Sequence, residues 1–138
     1  MENCVFCKIV KGEIPCYEVY QDERVLAFLD INPVSYGHTL IIPKRHGANI
    51  WEVAEEDLKA VISAAKKLAE VIRKAFNPSG IAFLQLNGRG VNQVVMHYHL
   101  HLIPRRDQDP PLPMVEWELR KGDPERLMAL QKELKSAF

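Results

Sequence analysis

The stretch Met96-His97-Tyr98-His99-Leu100-His101-Leu102-Ile103-Pro104 constrains this chain most, because three of the five histidines alternate there with mostly apolar residues. Alternation of period two, in residues suited to a pleated surface, predicts a β-strand. Strand side chains leave by alternate faces, so His97, His99 and His101 share one face and Tyr98, Leu100 and Leu102 the other. A single strand histidine is commonly a hydrogen-bonded structural residue. Three on one face would each need a buried partner, which makes packing a poor account of them. Two chemistries remain. Neutral imidazole is a nucleophile near pH 7. Histidines at i and i+2 can also ligate one Zn²⁺, with a third ligand from elsewhere and an open position for water. The spacing alone does not separate the two.

The 138 residues read as one domain, 1–138, long enough to bury a core without staples. A net charge of +0 gives no general footprint for nucleic acid or an anionic membrane, so neither is an expected partner. No apolar run has the length of a membrane span. Met1-Glu2-Asn3-Cys4 lacks the basic-then-apolar order of a secretory signal, and a cytoplasmic location is expected. The cysteines number three, and Cys4-x-x-Cys7 favours a reduced compartment with a metal or redox role. A redox pair usually opens a helix after a buried strand, and no strand precedes Cys4. Half of a zinc site is the better reading. Cys16 reads as a small packing residue.

The remaining pattern supplies the fold class. Residues 17–21 and 25–30 read as a hairpin around Asp22-Glu23-Arg24, and 39–43 as a third strand. A helix is predicted over 55–76, with Leu58, Val61, Ile62, Ala65, Leu68, Ala69, Ile72, Ala75 and Phe76 as its apolar stripe. Strand 81–86, the loop 87–93, the histidine strand from Val94 and a helix over 123–138 complete the order. This is α+β, a mostly antiparallel sheet covered by helix. Taken alone, Asp30 is a turn-former, His38 a structural residue and His46 a surface-loop histidine.

His97-x-His99-x-His101 followed by Leu102 and Ile103 resembles the signature of the histidine triad (HIT) family of nucleotide hydrolases and transferases. The likeness runs over roughly residues 3 to 106 and includes Phe28-Leu29-Asp30-Ile31-Asn32-Pro33, which is similar to the family's ribose-binding segment. It implies the HIT-like fold, an antiparallel five-stranded sheet with a long covering helix and a C-terminal helix, commonly paired as a homodimer. It implies a purine nucleotide substrate, with Asp30 accepting the ribose hydroxyls and Ile31 lining the base pocket. His99 would attack the α-phosphate of an adenosine phosphoramidate or dinucleoside polyphosphate and form a nucleotidyl-histidine. His101 would donate to the phosphate oxygens, and Asn87 and Gln93 would contact phosphate or leaving group. Some members complete a structural zinc site from the N-terminal pair, which here implies Cys4, Cys7, His46 and His97. Two positions depart from the family loop. Asn92 stands where glycine is usual, and asparagine tolerates the left-handed backbone that glycine supplies. Val94 replaces a polar residue and cannot donate a hydrogen bond. A zinc-dependent hydrolase using the triad as ligands, and a non-catalytic nucleotide-binding module, remain open alternatives.

Overall fold

The computed structural model describes residues 3–112 and 117–138. The extended stretch expected from Pro110 to Trp117 therefore lies partly outside the described residues. Two compact units form, Met1–Gln108 and Asp109–Phe138.

In the first unit α1 (Val5–Val10) leads into the hairpin of β1 (Glu18–Gln21) and β2 (Val25–Leu29). Asp22 closes the hairpin, its Oδ1 accepting from the amides of Arg24 and Val25 at 2.8 and 2.9 Å. β3 (Thr39–Pro43), α2 (Glu55–Phe76), β4 (Gly80–Leu84) and β5 (Leu100–Arg105) follow. The sheet order is β1-β2-β3-β5-β4, with every neighbouring pair antiparallel. The expected fold class is the one observed.

Both faces of the sheet are covered, which explains why β2 and β3 read as continuous apolar runs. Val25, Ala27, Ile41, Leu100 and Leu102 pack with Val61, Ala65, Leu68 and Ile72 of α2. Leu26, Phe28, Leu40 and Ile42 point the other way and pack with Phe6 of α1. The α2 stripe is narrower than the sequence suggests: Ile62 is 55 % exposed, and Ala64 is buried instead. Ile62 lies about 100° around the helix from Val61, off the arc that meets the sheet. Asn77 ends α2 in the left-handed conformation, φ 47°.

The histidine strand is shorter than expected, since β5 begins at Leu100 and leaves His97 and His99 ahead of it. β3 and β5 pair Thr39 with Leu102 and Ile41 with Leu100, a register that would set Tyr98 opposite Pro43. Proline has no N–H for the ladder. The Tyr98 amide donates instead to the Gly47 carbonyl at 2.7 Å.

In the second unit, α3 (Pro124–Ser136) is capped by Asp123, whose side chain accepts from the Glu125 amide. Its stripe of Leu127, Leu130 and Leu134 is exposed.

Candidate functional site

Shortening β5 does not scatter the triad. Tyr98, Leu100 and Leu102 all enter the core under α2, so the intervening histidines face the α1 side. His101 sits opposite Leu40, and the Phe6 ring lies edge-on to His99 and His97 at 5.2 and 5.9 Å. Imidazoles then continue in both directions. His46 lies 5.0 Å from His97, His101 lies 5.0 Å from His99, and His38 lies 5.1 Å from His101, centroid to centroid. The order along this row is His46, His97, His99, His101, His38.

Hydrogen bonds fix the proton on each of the inner rings. His99 donates from Nδ1 to the His97 carbonyl at 2.7 Å, so its Nε2 keeps the lone pair. The Val34 amide donates to His38 Nδ1 at 3.1 Å, which places the His38 proton on Nε2. That proton goes to His101 Nδ1 at 2.9 Å. His101 therefore carries its own proton on Nε2, as a donor. The sequence reading of His38 as merely structural needs revision, because it sets the His101 tautomer. Asp30 stands beside this pair, with Oδ2 3.5 Å from His38 Nε2, while its Oδ1 accepts from the Asn32 amide at 2.8 Å. Asp30 is thus both turn-former and site carboxylate. Ile31 next to it is 75 % exposed, an apolar surface beside the row.

These rings are held neutral. Burial foremost, then the neighbouring His99 and His38, pushes His101 down to about 4. Burial also lowers His38, against the pull of Asp30, and lowers His99 against its hydrogen bond to the His97 carbonyl. An unfolded histidine titrates near ~6.5. As pH falls, the unfolded chain takes up protons first, so the stability linked to His38 and His101 is full above that value and is lost toward pH 4. Denaturant midpoints should fall progressively between about pH 6.5 and 4.5. A flat profile over that range would contradict a buried neutral network.

The other end of the row is a sulfur–nitrogen cluster. Cys4 Sγ lies 3.3 Å from His97 Nδ1, and Cys7 Sγ lies 3.3 Å from His46 Nδ1 and 3.6 Å from His97 Nδ1. One donor atom from each residue falls within 4.8 Å of all the others. His97 gives its Nε2 proton to the Pro43 carbonyl at 2.8 Å, which leaves the Nδ1 lone pair aimed at the thiols. The Cys7 amide meets Cys4 Sγ at 3.3 Å, a contact that steadies a thiolate. Two thiols and two imidazoles, with the His97 Nδ1 lone pair turned inward, fit a tetrahedral zinc ion. Asp30, His38 and His101 also bring donor atoms within 4.8 Å of one another, but the His38–His101 hydrogen bond occupies that geometry.

Residues that sequence reasoning missed hold the segment carrying His46. Buried Asp57 accepts from Arg45 Nε at 2.9 Å and Arg24 Nη1 at 3.2 Å. Arg24 also accepts the Lys44 amide through its carbonyl at 2.8 Å. Asp57 was legible only as a helix-dipole acid in the first turn of α2.

The loop residues divide. Asn92 adopts the left-handed conformation at φ 62°, as expected for a residue in glycine's place. Gln93 is buried, its Oε1 accepting from the Gly88 amide and its Nε2 giving both hydrogens to the Ala48 and Val95 carbonyls. It therefore braces the loop and has no hydrogen left for a phosphate oxygen. Asn87 pairs with Gln85 amide to amide and accepts from the Ile50 amide, keeping one Nδ2 hydrogen uncommitted. Val94 is 87 % exposed.

The chain resembles known proteins over this whole region. Residues 11–108 match the model of the HIT domain. The protein named "Protein hit" of Bacillus subtilis is 52% identical over 104 residues, which are 75% of this chain and 72% of that protein. An adenosine 5'-monophosphoramidase of Candida albicans is 40% identical over 137 residues, covering 96% of this chain and 90% of that enzyme. The crystal structure of a HIT-family member from Bacillus subtilis superposes with a TM-score of 0.90 at 42% identity, covering 99% of this chain and 97% of the other. Matched by the domain model over most of its length and by these relatives in sequence and fold, the chain belongs to the HIT domain family.

Proposed function

We propose that this chain is a nucleotide hydrolase that attacks the α-phosphate of an adenosine phosphoramidate or dinucleoside polyphosphate through His99. The observation carrying the reading is the His99 hydrogen bond. With Nδ1–H given to a carbonyl, the nucleophilic lone pair on Nε2 is available at neutral pH. The Nε2–P bond forms as the bond from phosphorus to the leaving group breaks, and the leaving group departs with the bonding pair, an amine taking up a proton from solvent. Water then adds to phosphorus, loses a proton, frees AMP and returns the lone pair to His99 Nε2. His101, its proton held on Nε2 by His38, donates to the phosphate oxygens as charge builds there. Asp30 accepts from the ribose hydroxyls, Ile31 borders the base, Asn87 offers its remaining hydrogen, and Gln93 holds the loop in place. The Candida albicans relative, an adenosine 5'-monophosphoramidase, supports the phosphoramidate as substrate.

A structural zinc ion belongs to this reading. Cys4, Cys7, His46 and His97 would hold it, where it would tie α1 to the start of the triad. Only His97 of the triad stands in that cluster, which favours histidine chemistry over a zinc-activated water. A homodimer also belongs to it, supported by exposed Phe83 on the β4 edge and exposed Ile62 and Val71 on α2. Among the described residues no helix is long and apolar enough to cross a membrane.

Release of AMP from adenosine 5'-phosphoramidate tests the reaction, and the absence of any turnover would leave a binding module. Asp30→Ala tests the nucleoside end. Losing a hydrogen bond to a charged group costs roughly 1.5–3 kcal/mol, so AMP affinity should fall roughly tenfold or more. Unchanged affinity in calorimetry would reduce Asp30 to its turn.

A further inference from the structure

We infer that Asn49 is a positioning residue for attack by His99, acting through the turn 47–53 that it folds. The inference rests on the α-phosphate reading above and adds a residue that stands outside the imidazole row. Gly47 directly follows His46, in the segment that joins β3 to α2. Three backbone groups of this turn reach the site. The Gly47 carbonyl accepts from the Tyr98 amide at 2.7 Å. The Ala48 carbonyl accepts from Gln93 Nε2 at 2.6 Å, and the Ile50 amide donates to Asn87 Oδ1 at 2.8 Å.

The first of these bears on the nucleophile. The peptide group between His97 and Tyr98 is planar, with its C=O and N–H pointing opposite ways. Its N–H is held by Gly47, and its C=O accepts the Nδ1 proton of His99 at 2.7 Å. The Gly47 carbonyl therefore fixes the plane of the group that orients the His99 ring. Hydrogen bonds in series polarise one another, so securing the N–H also makes the His97 carbonyl a better acceptor. A shift at Gly47 is passed to the ring through two short bonds. The other two anchors hold the loop 87–93 near both of its ends.

Asn49 folds the turn from its centre. Its carbonyl accepts from the Glu52 and Val53 amides, both at 3.0 Å, and its Oδ1 accepts from the Trp51 amide at 3.2 Å. An asparagine that binds the backbone two residues on builds a turn with its own side chain. Glu52 Oε2 reaches back to the Ala48 amide at 3.2 Å. Packing leaves the turn little slack, since a Cβ on Gly47 would lie 2.9 Å from Val53 Cα.

The test compares wild type with Asn49→Ala, Asn49→Ser and Gly47→Ala. Each is mixed in saturating excess with adenosine 5'-phosphoramidate, and the single-turnover rate constant for its consumption is measured. Alanine at 49 removes the Oδ1 acceptor, serine keeps an uncharged one, and Gly47→Ala displaces the turn with Asn49 intact. Misplacing reacting groups by about 1 Å can cost ~100-fold, so Asn49→Ala and Gly47→Ala should each lower the rate constant by roughly 10–100-fold. Adenosine affinity in calorimetry should stay at the wild-type value, because Asp30 lies at the other end of the row. Asn49→Ser should run closer to wild type than to Asn49→Ala. An unfolded fraction lowers steady-state kcat and leaves this rate constant alone, so a merely structural role reads differently. A wild-type rate constant in Asn49→Ala, a loss confined to steady-state kcat, a serine variant as slow as alanine, or adenosine affinity falling in parallel would each overturn the inference. All four leave the α-phosphate reading intact. Wild type that consumes no phosphoramidate would remove that reading and the inference with it.

Discussion

A His99→Gly variant should lose roughly three to six orders of magnitude in kcat, the scale seen when a nucleophile is removed. The size of the effect follows from the division of labour along the row. His101 has its proton fixed as a donor by His38, and His97 directs its lone pair at the thiols. Only His99 combines a free Nε2 lone pair with a position between the Asp30 and His46 ends. On the proposed mechanism neither His97 nor His101 can take over the bond to phosphorus. His99 is buried against Phe6, so glycine also leaves a void. His99→Asn keeps more of the packing and should be equally inactive, which separates lost chemistry from lost fold.

The same residue distinguishes mechanisms. A phosphorus–nitrogen bond to histidine survives alkali better than acid, so wild type mixed rapidly with an adenosine phosphoramidate and quenched in alkali should carry AMP on the peptide containing His99. A metal-activated water would never leave nucleotide on the protein. A binding module would neither form the adduct nor release AMP. Near-normal turnover in both His99 variants would end the covalent reading.

How much of this was legible in the sequence depends on how far each signal reaches along the chain. Local patterns carried the hairpin at Asp22 and the whole of α2, because turn chemistry and a 3.6-residue period involve near neighbours. Asn92 was legible for the same reason, its left-handed backbone being a single-residue property. The start of β5 was not. Alternation runs unbroken through His97, but strand pairing stops where the register would meet Pro43, and Pro43 lies more than fifty residues earlier. His38 and Asp57 were missed on similar grounds. Each looks ordinary in its own segment, and its importance comes from His101 or from Arg24 and Arg45, brought near by the sheet. Gln93 shows the converse. Its place in the family loop was readable, yet the spending of both its amide hydrogens on Ala48 and Val95 appears only in three dimensions.

Purified without added metal, the protein should contain about one zinc per chain, and Cys4→Ser with Cys7→Ser should remove it and lower the melting temperature by roughly 10 °C. The ligand geometry supports this reading on both counts. Cys4 and Cys7 bracket the first turn of α1, and Cys4 is also its N-cap, so the thiols are set by a short helix. His97 comes from the start of the triad and His46 from the segment after β3, and they close on those thiols at 3.3–3.6 Å. An ion there would cross-link three segments distant in sequence, constraining the unfolded chain as well as holding the fold. α1 has only six residues, too few to be stable alone, and it positions Phe6 against His99. Metal loss should therefore loosen α1 first and blunt turnover through disorder around His99. The expected signature is a graded loss of kcat, far smaller than that of His99→Gly, with zinc restoring the melting temperature and activity of chelator-treated wild type together. A protein without zinc by elemental analysis, whose double serine variant melts where wild type does, would show that the four residues form only a hydrogen-bonded thiol–imidazole cluster. Abolition of turnover by chelator at unchanged melting temperature would instead move zinc into the chemistry and away from the fold.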